Sequence, residues 1–242
     1  MNFIPVYENP ALRVAPPVAV VFESEYQQSQ IRADYECFGV TRFAVIHGAF
    51  EPLPFRPLAH EPGTPFVVGR LARPARQKWH PHLWRIFQAV RERGVDVRPL
   101  CMGWSPELTQ HCGEPPEWAT CLAADTISAE EFIARCHTMI APNSAGCIEN
   151  WPRVGLESMA AGVPLVVDGR GGWPEQCVDA ALYCAETSDY VAVLVQLATD
   201  EAYRQSRITS GVSRVQSLGQ SPPQSSLAYQ WQDLFTSLRA AR

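Results

Sequence analysis

From about residue 62 onward, short β-branched runs alternate with longer amphipathic ones, and this alternation constrains the fold more than any other feature. Strands are expected at Pro65–Val68, Val95–Cys101, Ala119–Ala123, Thr138–Ala141, Pro164–Val167 and Ala181–Cys184. Helices are expected between and after them, at Trp79–Arg93, Ala129–Cys136, Arg153–Ala161, Pro174–Val178, Ser188–Ala198 and Asp200–Ser217. Strands separated by helices of this length cannot pair as hairpins. They require right-handed crossovers and a parallel sheet covered on both faces, which is a Rossmann-like domain.

Before it lies a shorter strand–helix–strand pattern: Val18–Phe22, a polar helix from Glu25 to Cys37 stopped near Gly39, and Phe43–Ile46. The proline-rich stretch from Glu51 to Pro65 has no period and reads as a linker. A second linker, Gly219 to Ser226, precedes a tail that places Leu227, Trp231, Leu234, Phe235 and Leu238 on one helical stripe. The expected organisation is therefore an N-terminal α/β segment and linker over 1–61, a Rossmann-like domain over 62–218, and a linker with an amphipathic helix over 219–242.

Several functions are excluded or weakened. The 242 residues carry a net charge of −5, against the basic surplus of nucleic-acid-binding domains. No apolar run approaches a membrane span, and Met1–Pro5 has no charged region leading into an apolar one, so a cytoplasmic location without a transmembrane segment is expected. The eight cysteines form no Cys-x-x-Cys pair and read as reduced, buried thiols. His80-Pro81-His82 lacks further ligands for a metal, and no metal is expected. There is no P-loop, no Gly-x-Gly-x-x-Gly fingerprint and no nucleophile elbow.

What is present sits where ligands bind in open α/β sheets, at the carboxyl ends of the strands. Gly69-Arg70-Leu71 follows one strand, with Lys78, the single lysine among 20 basic residues, shortly after. Here a glycine admits a ligand close to backbone, and the two cations can clamp phosphate oxygens. Cys101-Met102-Gly103-Trp104 ends another strand and offers a flat wall for a nucleobase. The segment from Glu149 to Glu157 opens a helix with Pro152 as its first residue and Gly162 as its C-terminal cap. The helix start, including Arg153 and Val154, is a natural diphosphate site, with one carboxylate beside it and one in the second turn. Asp168-Gly169-Arg170-Gly171-Gly172 follows the next strand and leads to Glu175.

Glu149 to Pro164 follows a Glu-x7-Glu pattern ending in Glu157-Ser158-Met159-Ala160-Ala161-Gly162-Val163-Pro164. Together with Gly69-Arg70-Leu71…Lys78 and Gly171-Gly172-x-x-Glu175, it resembles the retaining GT-B glycosyltransferases of the family 4, group 1, type over roughly residues 62 to 215. The resemblance implies a donor-binding C-terminal half of a GT-B fold that transfers a hexosyl group from a nucleotide-diphosphate sugar, UDP or GDP type, to a sugar, lipid or protein acceptor. It implies retention of configuration without a metal and with no protein nucleophile. Arg70, Lys78 and Glu149 become the catalytic candidates: the cations hold the diphosphate and Glu149 the donor sugar. Gly69, Gly103, Trp151, Arg153, Val154, Glu157, Gly171 and Gly172 complete the donor site, with Glu157 on the ribose. Pro152 stands where the family usually has glycine. Residues 1 to about 60 resemble only the last part of the family's N-terminal half. A partner chain or second copy covering the C-terminal helix is thus implied, or else a non-catalytic nucleotide-sugar-binding or scaffold subunit.

Overall fold

A computed structural model of the chain describes residues 12, 14–50, 52–219 and 227–239. Six strands form one wholly parallel sheet: β3 (Phe66–Leu71), β4 (Val97–Met102), β5 (Thr120–Leu122), β6 (Thr138–Ala141), β7 (Leu165–Val167) and β8 (Leu182–Tyr183). Their spatial order is β5-β4-β3-β6-β7-β8. The order runs outward from β3 on one side and outward from β6 on the other. The direction reverses between them, where Val68 and Gly69 pair with Thr138 and Met139. Crevices at such reversals open at the carboxyl ends of the strands.

The sheet is buried because both faces are covered. On one face lie α2 (Leu83–Glu92), α3 (Pro106–Cys112) and α7 (Thr187–Thr199). α2 buries Leu83, Ile86, Phe87 and Val90 at helical spacing, and these join Val68, Val97 and Ile140 of the strands in one core. On the other face lie α4 (Ala129–Ile133), α5 (Arg153–Ala160), α6 (Trp173–Cys177) and α8 (Glu201–Gly219). There Leu156, Met159 and Trp173 pack with Met139 and Val167 in a second core. Strands β6 and β7 contain only buried residues, as a doubly covered sheet requires.

Residues 20–45 form a smaller unit: β1 (Val20–Phe22), α1 (Glu25–Glu36) and β2 (Phe43–Val45), with the two strands parallel. The stretch that follows is no loose tether. Arg56 donates its backbone N–H to Ala161 O at 3.0 Å, and the Phe55 ring lies over Gly162. The final helix, α9 (Leu227–Arg239), lies near this unit, and Arg42 Nη1 donates to Ser237 O at 2.9 Å. On its expected apolar stripe Trp231 stacks on Phe235, which stays 55% exposed, and Leu234 and Leu238 are half-buried. The side chain of Leu227 lies outside the described residues.

Four local expectations need correction. β3 continues to Leu71, so Gly69 and Arg70 lie inside the strand and not in the loop beyond it. The helix expected from Trp79 begins at Leu83; Arg76–Lys78 forms a 3₁₀ turn and Trp79 is buried core. Pro152 is the N-cap, extended at φ −73° and ψ 119°, and Arg153 is the first helical residue. Pro106–Cys112 is a helix with no counterpart in the sequence reading.

Candidate functional site

A cleft of about 660 Å³ opens at the β3/β6 reversal, between the end of β3, the end of β4 and the start of α5. Four cationic side chains line it, Arg70, Arg73, Lys78 and Arg153, against three carboxylates, Asp125, Glu149 and Glu157. The chain as a whole is acidic, so this excess of positive charge is local.

Its floor is built from Arg70. At 2% exposure its two Nη groups are spent on protein acceptors, while Nε has no partner among the described residues. Nη2 donates to Asn143 Oδ1 at 2.9 Å and to the carbonyl of Lys78, and Nη1 donates to Ile140 O at 3.4 Å. The plane also lies over the Trp79 ring, 5.4 Å from its centroid. Burial pulls its pKa down, and the Glu149 carboxylate opposes that pull. Arg70 therefore acts through the turn it braces. It holds the Lys78 carbonyl, while Ser144 Oγ donates to Trp79 O at 2.6 Å and Ser144 N to Gln77 O at 3.1 Å. The turn is thus fixed from β3 and from the loop after β6.

What that turn presents is the Lys78 ammonium. Nζ lies 2.6 Å from both Oε1 and Oε2 of Glu149, a bidentate, charge-assisted contact in a mostly buried setting. The two residues expected to grip different parts of one ligand hold each other. On the far wall Glu157, almost buried in the second turn of α5, accepts from Arg153 Nη2 at 2.9 Å. Val154 completes the mouth of that helix.

The glycines serve a purpose other than the expected one. A Cβ on Gly69 would run into the Met139 and Cys136 sulfurs. At Gly103, where φ is +94°, it would strike the carbonyl of Ala72. At Gly171 and Gly172 it would strike the carbonyls of Glu149 and Asn150, and Gly172 N donates to Glu149 O at 2.7 Å. At each of these glycines another segment of the chain approaches closely, and Gly103 also lines the cleft. Gly171 and Gly172 in particular let the loop after β7 seat the backbone that carries Glu149. They lie outside the residues lining the cleft, as does Trp151. The Trp151 ring is stacked on His47 of the N-terminal segment, with centroids 3.8 Å apart and planes 2° from parallel. Trp104 is likewise no wall for a base: it packs against Trp79 and Trp84.

Two residues escaped the sequence reading, and a third, Glu175, enters it only as the end of the Gly-Gly-x-x-Glu turn. Arg73 is exposed on the cleft rim, and among the described residues no hydrogen bond or ion pair engages its guanidinium. Its place beside Arg70 in Gly69–Arg73 was the available signal. Asn143 positions Arg70, and nothing local distinguishes it from any asparagine. Glu175 accepts the backbone N–H groups of Glu25 and Tyr26 at 3.0 and 3.2 Å, and His47 Nε2–H donates to it at 2.8 Å. It caps α1 from across the molecule and fastens the N-terminal segment to α6. Among the described residues no group of three or more His, Cys, Asp or Glu side chains is arranged to hold a metal. No helix is long and apolar enough to cross a membrane among the described residues.

Residues 64–200 match the family model described as glycosyl transferases, group 1. No curated protein sequence matches the chain. Among solved structures, sucrose-phosphate synthase from Thermosynechococcus elongatus superposes with a TM-score of 0.67 at 18% identity, covering 93% of this chain and 59% of that one. The Anabaena protein HepE, solved with UDP and glucose, gives 0.68 at 16% identity, with 95% and 66% covered. The trehalose-6-phosphate synthase OtsA gives 0.69 at 13% identity, with 97% and 62% covered. The chain thus spans about three fifths of the length of these structures, and at such identities the likeness is one of GT-B fold.

Proposed function

The chain belongs to the group 1 glycosyl transferases, and we propose that its cleft takes a nucleotide-diphosphate sugar of UDP or GDP type as donor for hexosyl transfer. The observation that carries this reading is the Lys78–Glu149 pair at the mouth of a locally cationic cleft. A volume of about 660 Å³ suits a ligand of this size. A diphosphate brings more charge than one carboxylate, so it draws Lys78 away and adds the exposed Arg73 and the unused N–H groups at the start of α5. Glu149 is released in the same step, beside the place where the donor sugar projects, and accepts its hydroxyls. Glu157 accepts the ribose hydroxyls in place of Arg153. HepE, described with UDP-glucose, supports a donor of this chemical class.

Bond breaking leaves a nucleotide diphosphate whose growing negative charge Lys78 and the helix start stabilise, with no reorganisation of Arg70 behind them. The sugar passes through an oxocarbenium-like state, the configuration is retained, and neither a metal nor a protein nucleophile is used. The acceptor is a sugar, lipid or protein group brought to the same edge of the sheet. A partner chain or a second copy of this one supplies the facing wall, seated against β1–β2 and the exposed side of α9. The eight unpaired cysteines support a reducing, cytoplasmic setting.

A second reading has one observation in its favour. Arg70 is consumed by protein acceptors and Lys78 by Glu149, as in a site that binds donor without turning it over. Thermal melts with UDP, GDP, ADP and their sugar conjugates test the donor site. Ligand at about 100 times its dissociation constant adds ~2.7 kcal/mol, a rise of several degrees at this size. The expected result is a rise with one nucleotide that Glu157→Ala abolishes. No rise with any of them overturns the proposal. A rise without sugar transfer in the presence of the partner favours the scaffold reading.

A further inference from the structure

On the α2/α7 face of the sheet, at the ends of β6, β7 and β8, lies a second cleft of about 380 Å³. It shares no lining residue with the first, and the two are linked through Asn143, which lines it and accepts from Arg70 of the first. Asn143 is 3% exposed, and its amide orientation is forced: Arg70 has only donors, so Oδ1 must face it. Nδ2 is therefore turned the other way, and it has no partner among the described residues. Tyr190 of α7 lines the same cleft at 4% exposure, and its hydroxyl also lacks a partner. Burial pushes the phenol pKa up, which keeps it an O–H donor. A third donor comes from His80. Its Nδ1 accepts the His82 backbone N–H at 3.1 Å, which leaves the proton on Nε2. Burial lowers the His80 pKa, so the ring is neutral.

Buried donors without acceptors are costly unless a ligand or water meets them. The chemistry of that ligand follows from the acceptors nearby. Asp168 is already occupied by Arg170, with Oδ2 2.7 Å from Nη2, and Glu186 caps α7. The only guanidinium lining the cleft is thus paired, and a carboxylate remains beside it. An anion meets net repulsion there, whereas the hydroxyl groups of a neutral polyol share the three donors, each oxygen accepting at most two bonds, and give a proton to a carboxylate. We propose that this cleft is a sugar subsite for a neutral hexose unit, separate from the donor cleft, with Asn143, Tyr190 and His80 as its donors.

The inference does not depend on the donor assignment, and the test keeps the two apart. Saturation-transfer NMR on the full chain uses D-glucose and D-galactose, with and without UDP, and inorganic phosphate binding is measured in parallel. Tyr190→Phe removes a hydroxyl that no protein group needs, so its melting temperature should equal the wild type's. Loss of one hydrogen bond at an affinity of about 1 mM is expected to weaken hexose binding about tenfold. Saturation of at least one hexose that survives excess UDP and falls in both Tyr190→Phe and His80→Ala is the expected result. The proposal is overturned if neither hexose saturates, if UDP displaces it, or if both variants bind it as wild type does. It is equally overturned if phosphate, and not hexose, responds to Tyr190→Phe. Failure of UDP to bind, with hexose binding intact, sinks the donor reading alone.

Discussion

The two parallel sheets of this molecule begin from the same sequence signal and end differently. In the six-stranded sheet, β6 and β7 are buried along their whole length, and every neighbouring helix contributes buried side chains. In the two-stranded sheet, β2 has no fully buried residue, α1 has none, and Val18 beside β1 is 71% exposed. Parallel strands are stable when both faces are covered. The larger unit meets that condition from its own chain. The smaller one leans on the larger through Glu175 and through the His47–Trp151 stack. The difference shows where stability resides.

The largest expected effect tests how tightly the larger unit is packed. Gly172→Ala drives a methyl group into the Asn150 carbonyl, a backbone atom that cannot swing aside. The expected cost is about 3 kcal/mol, or some 6–12 °C in Tm by calorimetry. Gly39→Ala in the smaller unit meets nothing within 4 Å and carries only the strain of φ +82°, about 1 kcal/mol. Equal losses from the two variants would break the comparison.

A second effect is pH-dependent. His137 Nδ1 accepts the Val67 N–H of β3 at 2.8 Å and Nε2–H donates to Ala59 O at 3.2 Å. Burial lowers its pKa from 6.5 to about 4. The unfolded chain therefore binds an extra proton between those values. Stability from this residue is complete above about pH 6.5 and is lost as the pH falls towards 4, by up to ~2 kcal/mol. Urea midpoints across this window should fall, and His137→Gln should flatten that part of the profile. A flat wild-type profile would contradict the burial account.

A smaller effect concerns the joint between units. Glu175→Ala uncaps α1 and removes the His47 contact at a cost of about 1 kcal/mol. Limited proteolysis should then cut within residues 20–50 faster, while hydrogen exchange in β6 and β7 stays unchanged. Faster exchange in both sheets would show one cooperative body.

Much of the larger unit is legible in the sequence because periodicity reports burial. Among the described residues all eight strands overlap the stretches expected to be strands, most clearly β6 and β7, since a strand buried on both faces cannot be written in polar residues. The α3 helix escapes because Pro106–Cys112 is short and buries only Leu108 and Cys112. At the site, the order of motifs brings Arg70, Lys78, Glu149 and Glu157 to one cleft. Their partners are not legible. Sequence spacing carries no sign of whether a lysine meets a phosphate or a glutamate, so Lys78–Glu149 appears only in three dimensions. The glycines mislead for a related reason. Close approach is visible in their pattern, but whether protein or ligand does the approaching is set by chain segments distant in sequence.

The central claim is that Lys78 exchanges Glu149 for a diphosphate. Titration calorimetry of UDP against wild type, Lys78→Ala and Glu149→Gln tests it most directly. A charge-assisted contact to phosphate corresponds to about 1.5–3 kcal/mol, or roughly 10- to 100-fold in affinity. The account predicts that loss for Lys78→Ala and tighter UDP binding for Glu149→Gln, whose amide competes less well for the ammonium. Wild-type affinity in Lys78→Ala, or weaker UDP binding in Glu149→Gln with its fold intact, would contradict it.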